Sequence, residues 1–154
     1  MRPGIEKRLR LAADACRRGG SELTAVRRSV LALILEAKTP PTAYQLLDRL
    51  STARKKGVAP PTIYRALDFL TEHKLVHKIE RLNAFVPCIE PEHHGDPAAF
   101  LICRECGAVE EVEDAALAAA LESVAGTRGF RAARSMVEIE GICAACTGGG
   151  HGAG

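Results

Sequence analysis

Two Cys-x-x-Cys pairs, Cys103-Arg104-Glu105-Cys106 and Cys143-Ala144-Ala145-Cys146, constrain this chain more than any other feature. A Cys-x-x-Cys turn aims two thiolates at one point, and two such turns complete a tetrahedral sulfur cage for zinc. Each pair is followed or spanned by small residues, Gly107 in one case and Ala144-Ala145 in the other, as a tight metal turn needs. A module of about 65 residues also gains from a metal staple. The rival readings are an iron centre and a redox dithiol. Spacing alone does not exclude iron, but nothing nearby suggests a redox partner site. The four cysteines therefore read as structural zinc ligands, which by itself does not say what the protein does.

The charge of the chain is divided. Residues 1–83 carry 17 Lys+Arg against 8 Asp+Glu, and residues 84–154 carry 4 against 11, so that a net +2 is the sum of +9 and −7. Such a division points to a basic half that meets a polyanion and an acidic half that does not. No apolar run approaches the ~20 residues of a membrane span, and the N-terminal residues are basic and lack an apolar signal core. The expected location is the cytoplasm, with no membrane partner. Thiols stay reduced there, so the six cysteines are not expected to form structural disulfides.

The order of elements sharpens the first half. Residues 3–18 form a basic amphipathic pattern ending at Gly19-Gly20. Thr24 can cap a second helix with Val26, Val30, Leu33 and Ile34 on its buried face. After Pro40-Pro41, Thr42 can cap a third, with Ala43, Leu46, Leu47 and Leu50 inward. Residues 51–59 are polar and basic and read as a loop. Pro60-Pro61 opens a fourth helix, since proline suits a first turn, with Ile63, Ala66, Leu67 and Leu70 inward. Two short strand-like runs follow, residues 76–80 and 84–86, about a turn at Leu82-Asn83.

Helices followed by a hairpin is the order of a winged helix-turn-helix. The fold expected is α+β: a winged helix-turn-helix over 1–87, a hinge over 88–97, and a small α/β dimerisation domain with the four-cysteine zinc over 98–147. That second domain should hold strands at 100–102 and 108–112. A helix at 114–125, with Leu117, Leu121 and Val124 inward, and a strand at 135–140 complete it. A disordered tail over 148–154 ends the chain, and His151 within it reads as idle.

In the helix opened by Pro60-Pro61, the buried positions leave Thr62, Tyr64, Arg65 and Asp68 off the core face. Thr62 and Tyr64 can bond phosphates, and Arg65 can fork onto guanine in the major groove. The N-terminal part of such a helix is where bases are read. Arg27 and Arg28 are the leading phosphate contacts, with Arg8, Arg10, Arg17, Arg18, Lys55 and Lys56 behind them. Cys16 reads as a packed thiol and His73 as an ordinary helix-end histidine.

Residues 60–88, PPTIYRALDFLTEHKLVHKIERLNAFVPC, together with FLICRECGAVEEV and GICAAC further on, resemble the ferric uptake regulator family, and within it the zinc uptake regulator branch. The resemblance covers most of residues 20–146. It implies a homodimer that binds double-stranded operator DNA, an AT-rich inverted repeat, when zinc-loaded and represses zinc-uptake genes. It further implies a second, regulatory zinc, hence two per chain. Its ligands map to His77, Cys88, Glu111 and a hinge histidine, His94, with His93 as the alternative and Asp96 behind both. His77 and Cys88 flank one short hairpin, which agrees with a shared ion. Thiolate with imidazole and carboxylate suits zinc better than ferrous iron.

The alternative within the family is an iron, manganese or peroxide sensor, disfavoured by Cys88. Outside it stands a zinc-ribbon or electron-transfer protein. No Ser-His-Asp set, phosphate loop or His-x-Glu deaminase pattern is present, so neither enzymatic activity nor a small organic substrate is expected.

Overall fold

The computed structural model describes residues 3–88 and 99–148. The hinge histidines His93 and His94, Asp96, and the tail from residue 149, His151 included, lie outside the described residues. The chain forms two compact units, Met1–Glu92 and His93–Gly154.

The first unit opens with four helices, α1 (Pro3–Arg18), α2 (Ala25–Glu36), α3 (Ala43–Arg54) and α4 (Pro60–Glu72). Their apolar stripes close one core. Leu9, Val30, Ile34, Leu46, Leu50, Ile63, Leu67 and Leu70 are all at most 2% exposed. Local chemistry sets the helix starts. Thr42 and Gln45 form a reciprocal capping box at α3, satisfying two amides that the helix itself leaves unpaired. Proline occupies the first turn of α4, where no intrahelical donor is lost. Thr24 stands at the N-cap of α2, but its side chain makes no capping bond.

One expectation fails in this unit. Residues 51–54 are helical rather than loop, because α3 runs on to Arg54 and stops only where Lys55 turns left-handed at φ 53°. Ser51 then serves the connection, its hydroxyl accepting from the Val58 amide at 3.2 Å.

The wing follows as β1 (Val76–Ile79) and β2 (Ala84–Pro87), an antiparallel hairpin. Asn83, at φ 47°, makes the turn between them. The hairpin is fastened to the helices where Thr42 bridges Ala84 and the Phe85 amide donates to the Pro41 carbonyl at 3.0 Å.

The second unit is a three-stranded sheet of order β4-β3-β5, made of β3 (Ala99–Cys103), β4 (Val109–Val112) and β5 (Glu138–Gly141). β3 is antiparallel to β4 and parallel to β5. A parallel pair needs a crossover, and α5 (Ala115–Gly126) lies in that connection, its N-terminus capped by Asp114 accepting from the Leu117 amide at 2.8 Å. A single turn, α6 (Ala144–Thr147), not foreseen in the sequence, carries the last cysteine pair.

The inward face expected for α5 is not buried. No residue of that helix is buried, and Val124 is 57% exposed. Among the described residues its apolar positions are at best half-covered, Leu117 and Leu121 being half-buried.

Candidate metal centres and nucleic-acid face

Strand register builds the four-sulfur centre. The parallel β3–β5 pairing sets Cys103 opposite Gly141, so Cys143 follows two residues later at the same end of the sheet. Cys106 returns through the tight turn into β4, in which Gly107 adopts φ 72° and its amide donates to the Cys103 carbonyl at 3.1 Å. Cys146 comes back to the same point on the single turn of α6, its amide donating to the Cys143 carbonyl at 3.0 Å.

The four sulfurs all lie within 4.8 Å of one another. Cys103 Sγ is 3.9 Å from Cys146 Sγ, and Cys106 Sγ is 3.7 Å from Cys143 Sγ. A zinc–sulfur bond of about 2.3 Å gives a tetrahedron with edges of about 3.8 Å, so the cage fits the ion. None of the four forms a disulfide.

The thiols also show why a cation belongs there. The backbone amides of Cys106 and Cys143 favour the Cys103 thiolate and draw its pKa from 9.0 down to about 6. Removal from water, reinforced by the neighbouring sulfurs, pushes the Cys146 thiol up to about 12. Packed sulfurs repel one another's charge, and a divalent cation is what allows all four to ionise together.

In the first unit, His77 and Cys88 form a second grouping. His77 pairs with Val86 across the hairpin, and Cys88 lies two residues beyond Val86, on the same face. Their ligand atoms are within 4.8 Å. Both side chains are buried, at 3% and 6% exposure. The Cys88 amide extends the hairpin by donating to the Leu75 carbonyl at 3.0 Å. An imidazole and a thiol held together out of water are borderline-soft donors of the kind zinc takes. Glu111, the carboxylate expected to join them, stands on β4 of the second unit, opposite Phe100.

The face of α4 expected to meet DNA is exposed. Tyr64 is 58% exposed, Arg65 and Asp68 are exposed, and Thr62 is half-buried near the start of α4. Arg27 and Arg28 are placed differently. The Arg27 guanidinium lies 3.6 Å from the centre of the Phe69 ring and donates to the Glu22 carbonyl at 2.6 Å. Arg28 pairs with Glu6 of α1. Both already hold internal partners, with which a phosphate would compete. Arg8 donates to the Cys88 carbonyl at 2.7 Å.

The sequence reading passed over Tyr44. This side chain is 79% exposed beside the capped start of α3, and a solvent-facing aromatic in a helix-turn-helix is a ready phosphate or base contact. The signal lay in its falling outside the inward set Ala43, Leu46, Leu47 and Leu50. Cys16 is a buried thiol whose pKa burial raises. His73 ends α4, stacked on Phe69 and bonded to the Phe69 carbonyl and the Ser21 hydroxyl.

The sequence model of the ferric uptake regulator family matches residues 18–140. The zinc uptake regulation protein of Escherichia coli (strain K12) is 37% identical over 135 residues, covering 88% of this chain and 78% of that protein. The crystal structure of holo XcZur superimposes with a TM-score of 0.84 at 41% identity, over 91% of this chain and 96% of the other. A zinc uptake regulator complexed with zinc and DNA gives a TM-score of 0.90 at 35% identity, over 96% of this chain and 97% of the other.

Proposed function

The chain belongs to the ferric uptake regulator family, and from that membership we propose that it is a zinc-responsive repressor which binds operator DNA and controls zinc-uptake genes. The observation that carries this reading is the buried His77–Cys88 pair, set in the wing of the unit that bears the recognition helix. A sulfur ligand there favours zinc over iron or manganese as the signal.

Two zinc ions per chain are proposed, with separate tasks. Cys103, Cys106, Cys143 and Cys146 hold the structural ion. His77 and Cys88 with Glu111 and a hinge histidine, His94 or else His93, hold the regulatory one. His77 and Cys88 belong to the first unit and Glu111 to the second, so a shared ion would tie the units together. Without that tie, DNA affinity falls with the population of the competent arrangement.

Thr62, Tyr64 and Arg65 face DNA, with Tyr44 beside them. Arg27 and Arg28 contribute phosphate contacts only by exchanging their internal partners. The functional form is a homodimer. Support comes from apolar side chains of the second unit that its own chain leaves open, with Val124 57%, Ile139 48% and Ile142 48% exposed. A two-fold dimer calls for an inverted repeat, here an AT-rich one in double-stranded DNA. Among the described residues no helix is long and apolar enough to cross a membrane, and the cytoplasm, where operators are, is the proposed location.

The test is operator binding measured across buffered free zinc, iron and manganese. Repression-competent binding should follow zinc alone. Metal analysis should find two zinc per chain, one of them removed by mild chelation. A response to iron or manganese at their cellular concentrations would favour another branch of the family.

A further inference from the structure

Arg8 is one of many basic residues in the first half of the chain, and by charge alone it belongs among the phosphate contacts. Its position says otherwise. Ile5, Leu9, Ala12 and Cys16 bury one face of α1 against the core. Arg8 leaves the edge of that face half-buried, and its Nη2 donates to the carbonyl oxygen of Cys88 at 2.7 Å, eighty residues away. The Cys88 amide is meanwhile committed to Leu75. Both backbone polar groups of the cysteine are therefore fixed, one by the hairpin and one by α1.

The surroundings strengthen this bond. Arg8 and Cys88 line a cavity of about 70 Å³ whose other walls include Leu11, Leu31, Leu35 and Leu75. A charge-assisted hydrogen bond beside apolar walls is less weakened by water than one on an open surface. Its guanidinium reaches the peptide of Cys88 rather than the sulfur, so its effect is on where the thiol is presented.

We propose that Arg8 is a positioning residue for zinc sensing: it clamps the backbone of Cys88 and so couples that ligand to α1 of the DNA-binding unit. The inference rests on the reading of Cys88 as a regulatory zinc ligand. Groups that hold a metal ligand in place commonly set affinity by about 10–100-fold when removed, because an unheld ligand must be ordered as the metal binds. Arg8→Met keeps the apolar stem and deletes the donor. Arg8→Lys keeps one donor on a similar stem.

The experiment uses the full-length protein and two readouts. Competition against a calibrated zinc chelator gives the affinity of the weaker zinc without any DNA present. An operator titration at saturating zinc, repeated at several salt concentrations, gives DNA affinity and its salt slope. Arg8→Met should weaken the second zinc by about 10–100-fold and leave the saturating-zinc operator affinity and salt slope as in wild type. Arg8→Lys should recover part of the loss. In a Cys88→Ser background, Arg8→Met should add nothing further.

Unchanged zinc affinity with a salt slope reduced by about one would make Arg8 a phosphate contact and overturn the proposal. Equal losses in Arg8→Met with and without Cys88 would also overturn it, as a general effect on folding. If Cys88→Ser itself keeps wild-type zinc affinity, the reading of Cys88 fails, and the clamp with it. If Cys88→Ser loses the second zinc while Arg8→Met does not, only the clamp fails.

Discussion

His77 and Cys88 are diagonal neighbours on one face of the β1–β2 hairpin, eleven positions apart in sequence and within 4.8 Å at their ligand atoms. The pleat makes this so: His77 pairs with Val86, and alternation returns the next same-face residue of the extended partner strand at Cys88. A wing whose usual task is to touch DNA thus also carries a buried nitrogen–sulfur pair. The second unit holds a different set of ligands at the end of its own sheet.

The four-cysteine centre should be structural. Cys103→Ser removes the sulfur that lies 3.9 Å from Cys146 and accepts the Cys143 amide at 3.3 Å. Structural zinc provides on the order of 10 kcal/mol of apparent binding free energy, more than a small three-stranded unit can replace. Zinc counting, thermal melting and a sizing column should show loss of one ion, a destabilised second unit and a monomer. A dimer with unchanged melting would rule out the structural role.

Arg65 and Arg27 should differ in what they lose. Arg65→Ala, on an exposed position of α4, should cost roughly 1–3 kcal/mol in specific binding and relax discrimination at one base per half-site. Arg27→Ala should weaken all DNA sequences alike. It should also lose the stacking of its guanidinium on Phe69, a loss of about 0.5–1 kcal/mol in folding stability. Paired measurements on operator and scrambled duplexes, with denaturant melts, distinguish them. Normal operator binding by Arg65→Ala would move the recognition surface elsewhere.

Much of this was legible in the residues. Pro60-Pro61 opens α4 and Thr42 with Gln45 caps α3, because each is a local device whose chemistry is complete within a few residues; the two Cys-x-x-Cys pairs are distant in sequence, but their matched spacing marks them as halves of one cage. Two features were not. Residues 51–54 look like a loop, being polar, yet the solvated side of a helix end tolerates polar residues as readily as a loop does. The apolar spacing of α5 marked a face that needs cover, and periodicity does not say whether the cover comes from the same chain. Leu117 and Leu121 are only half-buried and Val124 is exposed. The partners of Arg8 and Arg27 were hidden for a related reason: charge is read from sequence, but the Cys88 carbonyl and the Phe69 ring come from distant segments.

Zinc at the four-cysteine centre should respond to pH in a defined direction. Cys146, pushed up to about 12, is protonated in the metal-free protein at neutral pH and must release that proton when zinc binds. Affinity therefore rises with pH through the neutral range. Cys103, with its pKa drawn down to about 6, is already ionised there and adds nothing to the slope until the pH falls below about 6. Chelator competition at the tighter site should show affinity falling toward acid, with a steeper fall below that point. A pH-independent affinity would contradict the protonation scheme.

The central claim is that sensing and folding use different zinc ions, and Cys88→Ser tests it most directly. The substitution replaces a buried thiol of the first unit by a hydroxyl and leaves all four sulfurs of the second untouched. It deletes the softest of the proposed regulatory ligands, so the remaining nitrogen and oxygen donors should hold zinc more weakly. The measurement is an operator titration of wild type and Cys88→Ser across buffered free zinc, with a zinc count and a sizing column alongside. The account predicts a folded dimer that keeps one zinc per chain and no longer binds its operator in response to zinc. A mutant that responds to zinc as wild type does, or one that loses dimerisation instead, would contradict it.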